Sequence, residues 1–510
     1  MCFKFDRSMK MSNFRWAICA LLFLATAVNY MDRQVLSLTW KEFIAPEFHW
    51  TDAGYGKITA MFSIVYAIAN LLAGRIIDWM GTKKGYLISI GVWSLGACLH
   101  AACGIGTEWW ISVFDGIDMH SAREMLDAMG AVAATIATVS VYFFIAARTI
   151  LAIGEAGNFP AAIKVTAEYF PKRDRAYATS IFNAGSAVGA LIAPFSIGPL
   201  ASYFKSIGWG NGWEMAFIVI GALGFIWMAF WVFLYKNPAE NPRVNKAELA
   251  YIEQDNVTPA ETPKQKAEIE DTQEASIPFW RCFAYPQTWA VFFGKFLTDG
   301  VWWFFLFWTP AYITDVFHLS TSHGEGMMMI FVLYLITMLS IYGGKLPSIF
   351  IDRDARKGIN INPYAARMRA MLIFAVFPLL ALFAQPLAGV SPWLPIIIIG
   401  ICGAAHQSWS ANIYTVAGDM FPKSTIGTII GIGGMAGGVA SFIINYASGM
   451  LFDYAAKTQM RFMGFTGKPA GYFMVFCYCG VAYLAGWCVM KLLVPRYKII
   501  NYSPCGQMVR

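Results

Sequence analysis

The chain is organised as apolar runs separated by connectors rich in charge, glycine or proline. Each run has about 20 residues, the length that a helix needs to cross a hydrocarbon core of roughly 30 Å. Six runs come first, near residues 16–38, 56–79, 85–105, 139–165, 176–201 and 213–235. Six more follow a polar interval, near residues 287–314, 326–350, 368–386, 392–417, 425–451 and 470–494. The pattern predicts an all-α polytopic membrane protein with twelve transmembrane helices.

The predicted helices form two six-helix halves joined by a polar segment. We assign 1–236 to the N-terminal half, 237–285 to a cytoplasmic linker, 286–495 to the C-terminal half and 496–510 to a cytoplasmic tail. The linker is expected to hold one short amphipathic helix around Ala247 to Gln254. The first half carries a long outward insert at 106–138, in which Ser121 and Glu124 have capping-box spacing and predict a surface helix.

Composition and charge agree with a membrane protein. Of the 510 residues, 57% are hydrophobic and only 14% are charged. Lys and Arg concentrate in both tails and in alternate connectors, which the positive-inside rule assigns to the cytoplasm, so both termini are expected inside. One connector departs from this rule, because Lys457, Arg461 and Lys468 would face outward. The net charge of +7 reflects this loop topology and gives no support for nucleic-acid binding.

An internal repeat relates the two halves. EYFPKRDRAYATSIFNAGSAVGALIAP begins at Glu168, and DMFPKSTIGTIIGIGGMAGGVASFIIN begins at Asp419. Each has an acid, a Phe-Pro-Lys sequence and then a helix studded with Gly, Ala and Ser. Small residues let membrane helices approach closely, so both helices are expected to be tightly packed. Two halves of the same direction, joined by a soluble linker, indicate a transporter that rocks around a site near the middle of the membrane.

One connector carries a family resemblance. GRIIDWMGTKK, from Gly74 to Lys84, resembles the loop between helices two and three of the major facilitator superfamily. The resemblance implies that Gly74, Asp78, Gly81 and Lys83 form a gating motif. In it, glycine permits close packing, while the acid and the base hold the cytoplasmic side of the bundle closed.

Three further segments narrow the resemblance. RTILAIGEAGNFPAAIKVTAEYFPKRDRAYATSIFNAGSAVGALIAP, at 148–194, is similar to the anion:cation symporter branch of that superfamily. The segments at 295–312 and 403–438 resemble bacterial hexuronate transporters, which take up glucuronate and galacturonate with protons. The resemblance implies a proton symporter with many passes through the bacterial inner (plasma) membrane. The insert at 106–138 departs from the family pattern.

Four charged residues lie within the predicted spans. Asp32 and Arg33 are adjacent on the first helix, and Arg148 and Glu155 are two turns apart on one face of the fourth, about 10 Å at 1.5 Å per residue. Charges in hydrocarbon usually face a partner or a watery cavity. We expect one cluster, in which Asp32 and Glu155 couple protons and Arg33 and Arg148 supply the cation for a substrate carboxylate. Arg148 is the stronger candidate of the two if Arg33 chiefly balances Asp32. The alternative is that these pairs only set helix register.

A sugar acid also needs hydrogen-bonding groups for its hydroxyls and aromatic faces for its C–H surfaces. Trp302, Trp303 and Trp409 are candidates for the aromatic faces. Lys295 and Asp299, at i and i+4, either neutralise each other or contact substrate. Candidates for binding the hydroxyls are Tyr66, Asn158, Asn183, His406, Gln407 and Asn412.

The leading functional hypothesis is proton-coupled import of a hexuronate. Alternatives are symport of another sugar acid, such as galactonate or glucarate, and anion exchange without protons. An enzyme would need a nucleophile with its base or a metal-ligand set, and the sequence has no HExxH, no GxSxG and only six His. The ten cysteines have no zinc spacing. We therefore expect no metal and no cofactor, and a monomer whose partners are the bilayer, the anion and protons.

Overall fold

The computed structural model describes residues 11–115, 130–255, 277–358 and 362–500, and it is almost entirely helical. We call the helices before residue 237 the first half; they are α1 Phe14–Thr39, α2 Ala45–Phe48, α3 Asp52–Met80, α4 Thr82–His100, α5 Cys103–Trp110, α6 Gly130–Glu155, α7 Asn158–Tyr169, α8 Lys172–Ser206 and α9 Trp213–Leu234. The linker contains α10 Lys246–Ile252 and α11 Phe279–Cys282. The helix expected near residues 247–254 is therefore present.

The helices after residue 285 form the second half. They are α12 Pro286–Phe317, α13 Gly324–Thr337, α14 Leu346–Arg356, α15 Pro363–Val376, α16 Ala384–Ala388, α17 Trp393–Met420, α18 Lys423–Thr458 and α19 Lys468–Leu493. Between α18 and α19 lies a small antiparallel hairpin, β1 Arg461–Phe462 and β2 Phe465–Thr466.

The described residues contain ten helices that are long and apolar enough to cross a membrane. The pair Thr82–His100 and Cys103–Phe114, bent by 56°, makes an eleventh if the two helices form one span. The run expected at 326–350 is split, because α13 ends at Thr337 and a 3₁₀ segment, Met338–Lys345, follows. A Gly-Gly pair and Pro347 account for the break, since both residue types weaken an α-helix.

The expected insert at 106–138 is largely helical where the structure describes it. Helix α5 continues through a π-helical turn, Ile111–Asp115, and the fourth span already begins within Gly130–Glu155. The apolar runs therefore extend further than their hydropathy suggested. The surface helix predicted from Ser121 and Glu124 lies outside the described residues.

The two halves meet most closely along α3 and α18. A Cβ atom at Gly56 would lie within 3.1 Å of Gly449, and the Ser63 hydroxyl lies 2.8 Å from that of Ser441. Small residues on both helices allow this approach. Helices α8 and α13, and α1 and α12, form the other principal contacts between the halves.

One end of this interface is closed by polar contacts. We call it the far end; α1 and α12 end there, and α3 and α19 begin there. The Asp453 carboxylate accepts hydrogen bonds from the backbone N–H groups of Asp52, at 2.9 Å, and Ala53, at 3.0 Å, so the second half caps α3. Lys468 lies 2.5 Å from Asp52 and 3.3 Å from Asp315. These two acids explain why a lysine occurs in the connector that broke the charge rule.

Candidate functional site

Arg33 forms a buried ion pair with Glu155, the last residue of α6. The Arg33 Nε donates to Glu155 Oε2 at 2.6 Å, and the two side chains are 3% and 0% exposed. Adjacent helical residues point about 100° apart because a turn has 3.6 residues. Arg33 and Asp32 therefore face different neighbours, and the condition that Arg33 chiefly balances Asp32 is not met.

Arg148 lies beside this pair with unused donors. Its Nη2 donates to the Arg33 carbonyl oxygen at 2.9 Å, and its guanidinium carbon lies 5.0 Å from the centre of the Phe62 ring. Its Nε and Nη1 atoms are buried and have no hydrogen-bond partner among the described residues. A guanidinium presents its donors in a planar fork that matches a carboxylate. Arg148 is thus suited to hold an anion.

Asp32 is buried in the same region, with 1% of its surface exposed. Within the described part of the chain, neither of its carboxylate oxygens accepts a hydrogen bond of normal geometry, although the indole of Trp93 lies beside it. Asp32, Arg33, Arg148 and Glu155 are therefore brought together, as expected. When both acids are ionised, the charges of the four side chains sum to zero.

Aromatic rings enclose the Arg33 guanidinium. Its central carbon lies 5.1 Å from the ring centre of Tyr30, 4.6 Å from Tyr66 and 5.9 Å from Phe62, all in the first half. Trp303, in the second half, lies at 5.4 Å. Such rings attract a cation through their faces. Arg33 is only 2% exposed, so the site is closed in this conformation. Tyr30 and Phe62 were missed, although each lies one helical turn from a predicted residue.

The second half contributes another buried ion pair. Lys295 Nζ lies 2.7 Å from Asp299 Oδ2 on the same helix. It also contacts the Ser410 hydroxyl at 3.2 Å and lies 4.6 Å from the centre of the Tyr414 ring. Lys295 is therefore neutralised within its own half.

His406 and two tryptophans lie in the second half. The His406 ring stacks on Trp302 with centroids 5.4 Å apart, and its Nδ1 lies 2.8 Å from the Tyr483 hydroxyl. Trp409 packs inside the second half against Tyr483, edge to face at 5.7 Å. Trp303, rather than Trp409, is the tryptophan that contacts the arginine cluster.

The predicted amides are dispersed. Asn158 accepts a hydrogen bond from the Tyr86 hydroxyl at 2.8 Å, and Asn412 donates to the Ser408 carbonyl of its own helix, also at 2.8 Å. Asn183 is exposed on α8, and Gln407 is half-buried on α17. An amide within a membrane helix often satisfies a neighbouring group in this way.

The structure describes three residues of the predicted gating motif, in a conformation that has the far end closed. A Cβ atom at Gly74 would meet no atom within 4 Å, so this glycine makes no close approach. Gly81 has a φ of +80° and connects α3 to α4 in a conformation that favours glycine. Lys83 donates to the Val232 carbonyl at 3.0 Å, at the end of α9. It therefore ties two helices of the first half and does not bridge the halves. The Asp78 side chain lies outside the described atoms.

No group of three or more His, Cys, Asp or Glu side chains in the described ranges could hold a metal ion. The chemistry of the site is thus that of buried cations, carboxylates and rings.

Comparison with known proteins places this geometry in a family. The model of the Major Facilitator Superfamily matches residues 22–116 and 126–445. The hexuronate transporter of Escherichia coli (strain K12) is 26% identical over 447 residues, covering 87% of this chain and 89% of that protein. The probable galactarate/D-glucarate transporter GarP of the same strain is 25% identical, covering 90% and 93%.

The structure is also similar to that of a bacterial homolog of the human lysosomal transporter Spinster in an inward-facing conformation. The TM-score is 0.63 at 17% sequence identity, and the match covers 97% of this chain and 99% of that one. The chain therefore belongs to the Major Facilitator Superfamily and is a multi-pass membrane transporter, not an enzyme.

Proposed function

We propose that the chain is a proton symporter that imports a hexuronate, such as glucuronate or galacturonate, by alternating access. The observation that carries this proposal is Arg148, a buried cation with two unused donors beside the Arg33–Glu155 pair. The sugar-acid specificity of the relatives supports the same substrate class.

Charge balance supports proton coupling. The cluster of two acids and two arginines is neutral when all four are ionised, so a bound sugar acid adds one buried negative charge. An uncompensated charge in the membrane costs about 2.5–3.5 kcal/mol or more. One proton taken up with each anion restores neutrality. The closed, low-dielectric site thus favours binding the two together.

The ion pair supplies a mechanism for this coupling. Protonating Glu155 removes the charge that holds Arg33, so Arg33 and Arg148 together can bind the substrate carboxylate. Releasing the proton restores the Arg33–Glu155 pair and displaces the anion. Asp32 accepts no hydrogen bond of normal geometry from Arg33 or any other described residue, so Asp32 adjusts the charge of the cluster without competing for Arg33 directly.

The direction of transport follows from the placement of charge. The basic connectors and both termini are assigned to the cytoplasm of a bacterial cell, so the far end faces outward. With the far end closed, the substrate would leave toward the cytoplasm once the halves separate at the other end. Such rocking about a midplane site is the usual motion of two-half transporters.

A ligand panel tests the substrate class. We expect the purified protein to be stabilised against thermal unfolding by glucuronate or galacturonate, less by galactonate and glucarate, and not by glucose. In proteoliposomes, an inward pH gradient should drive accumulation of the same acid. Stabilisation by neutral hexoses alone would overturn the substrate class, and equal uptake without a gradient would favour an exchanger.

A further inference from the structure

We propose that Asp299 binds hydroxyl groups of the substrate and makes the transporter selective for polyhydroxy acids over simple carboxylates. The inference rests on the proposed function, because it assumes a sugar acid whose carboxylate lies at Arg148.

The register of α12 puts Asp299 on the same helix face as Trp303, which contacts the arginine cluster. Lys295, Asp299 and Trp303 are spaced by four residues and so lie on one face of the helix. Trp303 contacts the Arg33 guanidinium at 5.4 Å. Asp299 is one turn from Trp303, about 6 Å along the helix axis. A sugar whose carboxylate lies between the arginines would extend its hydroxyls toward this carboxylate.

The two members of the pair are not equally satisfied. Lys295 has Asp299, Ser410 and the Tyr414 ring as partners. Asp299 uses only Oδ2, and its Oδ1 atom is buried without a partner among the described residues. A buried acceptor without a donor is costly, and a pair that served only to neutralise charge would not require it. The unused acceptor indicates a ligand that donates a hydrogen bond.

The chemistry of this acceptor favours a hydroxyl over a second anion. A carboxylate of the ligand would be repelled by Asp299, whereas a hydroxyl can donate to it. The Asp299 carboxylate, paired with the Lys295 ammonium at 2.7 Å, is an acceptor for a hydroxyl donor. Arg148 thus binds the substrate carboxylate, and Asp299 binds substrate hydroxyls.

Helix α18 leaves room for the pair. A Cβ atom at Gly437 would overlap Asp299 Oδ2, and one at Gly433 would lie 3.3 Å from Lys295 Cγ. Any larger residue at position 437 would push the carboxylate aside. The two glycines therefore leave the space that the Lys295–Asp299 pair occupies between α12 and α18.

A thermodynamic cycle that combines a change of residue 299 with the removal of single ligand hydroxyls tests the proposal. Binding of glucuronate and of its monodeoxy analogues is measured by calorimetry for the wild type and for Asp299→Asn. In the wild type, one analogue should bind about tenfold or more weakly, the usual size of one hydrogen bond to a charged group. Asp299→Asn should bind glucuronate with an affinity reduced by a similar factor. The variant should bind the deoxy analogue that lacks this hydroxyl as well as it binds glucuronate. Ser410→Ala, which removes a contact of Lys295 only, should keep the wild-type discrimination.

Equal losses for every analogue in the wild type and the variant would overturn the proposal. If Asp299→Asn does not fold because Lys295 is left without a counterion, Lys295→Met/Asp299→Leu removes both charges and is tested in the same way. Discrimination that persists in the double variant overturns the proposal. If the wild type binds no sugar acid, the proposed function fails instead.

Discussion

The Lys41 ammonium of the first half lies 2.9 Å from the Asp315 carboxylate of the second half, at the far end of the molecule. Lys41 also lies 2.9 Å from Asp52, and Lys468 contacts the same two acids. Two cations and two anions therefore alternate in a closed arrangement across the interface. When the far end opens, the contacts that join the two halves must separate, so this arrangement favours the closed state.

Replacing Asp315 by Asn should favour the open far end. The change leaves two lysines to share Asp52, and we expect a shift of about 1–2 kcal/mol, roughly five- to thirtyfold in the equilibrium. Distances between spin labels at Trp209→Cys and Val390→Cys, in a background without reactive native cysteines, would report the opening. Asp354→Asn removes the ion pair of Asp354 with Arg369 at 2.6 Å, inside the second half, and is the matched control. An unchanged distance distribution for Asp315→Asn would exclude a role in closure.

Glycine 449 should be necessary for the same closure. A Cβ atom there would overlap the Asp52 carbonyl oxygen, so Gly449→Ala should separate α3 from α18 and populate the open far end. Gly427→Ala lies on the same helix, and its Cβ would meet no atom within 4 Å. The control should keep wild-type distances and gain up to about 1 kcal/mol of helix stability. If both variants behave alike in the spin-label measurement, the tight contact is not what holds the far end closed.

Arg148→Lys should weaken hexuronate binding by about tenfold or more, because an ammonium replaces a planar two-pronged donor with a point charge. Arg33→Lys should be milder, since a lysine there can still pair with Glu155. Calorimetric titration with glucuronate compares the two. Equal and small losses would show that the carboxylate is anchored elsewhere.

Glu155→Gln should abolish accumulation driven by a pH gradient while retaining exchange of labelled for unlabelled hexuronate. Glutamine mimics the protonated acid, so Arg33 stays available to substrate but no proton can leave. Asp32→Asn should also lose accumulation. Asp419→Asn removes an acid that pairs with Arg367 at 2.6 Å, outside the cluster, and serves as the control in the same vesicles. Continued concentration of substrate by Glu155→Gln would mean that Glu155 is not the coupling carboxylate.

The sequence alone determined the class of the protein and the residues of its charge cluster. Hydropathy over about 20 residues is a local property, so it located the membrane helices without knowledge of their packing. Charges inside such runs are costly wherever the helices pack, so Asp32, Arg33, Arg148 and Glu155 stood out in the same way. The capped helix at Lys246–Ile252 was also predictable from short-range signals.

Which of these charges meet depends on the packing of the helices. Arg33 pairs with Glu155 rather than with its neighbour Asp32, because rotation about the helix axis and the position of α6 select the partner. Lys468 is a second example. Its position in an outward connector departs from the loop-charge rule, and the tertiary structure accounts for it by placing Asp52 and Asp315 beside it. Trp303 and Trp409 were equally good candidates for a sugar-binding ring from the sequence. The packing of α12 against the first half brings Trp303 to Arg33, whereas Trp409 packs inside the second half. Contacts between residues distant in the chain depend on how helices pack, and no local pattern records that packing.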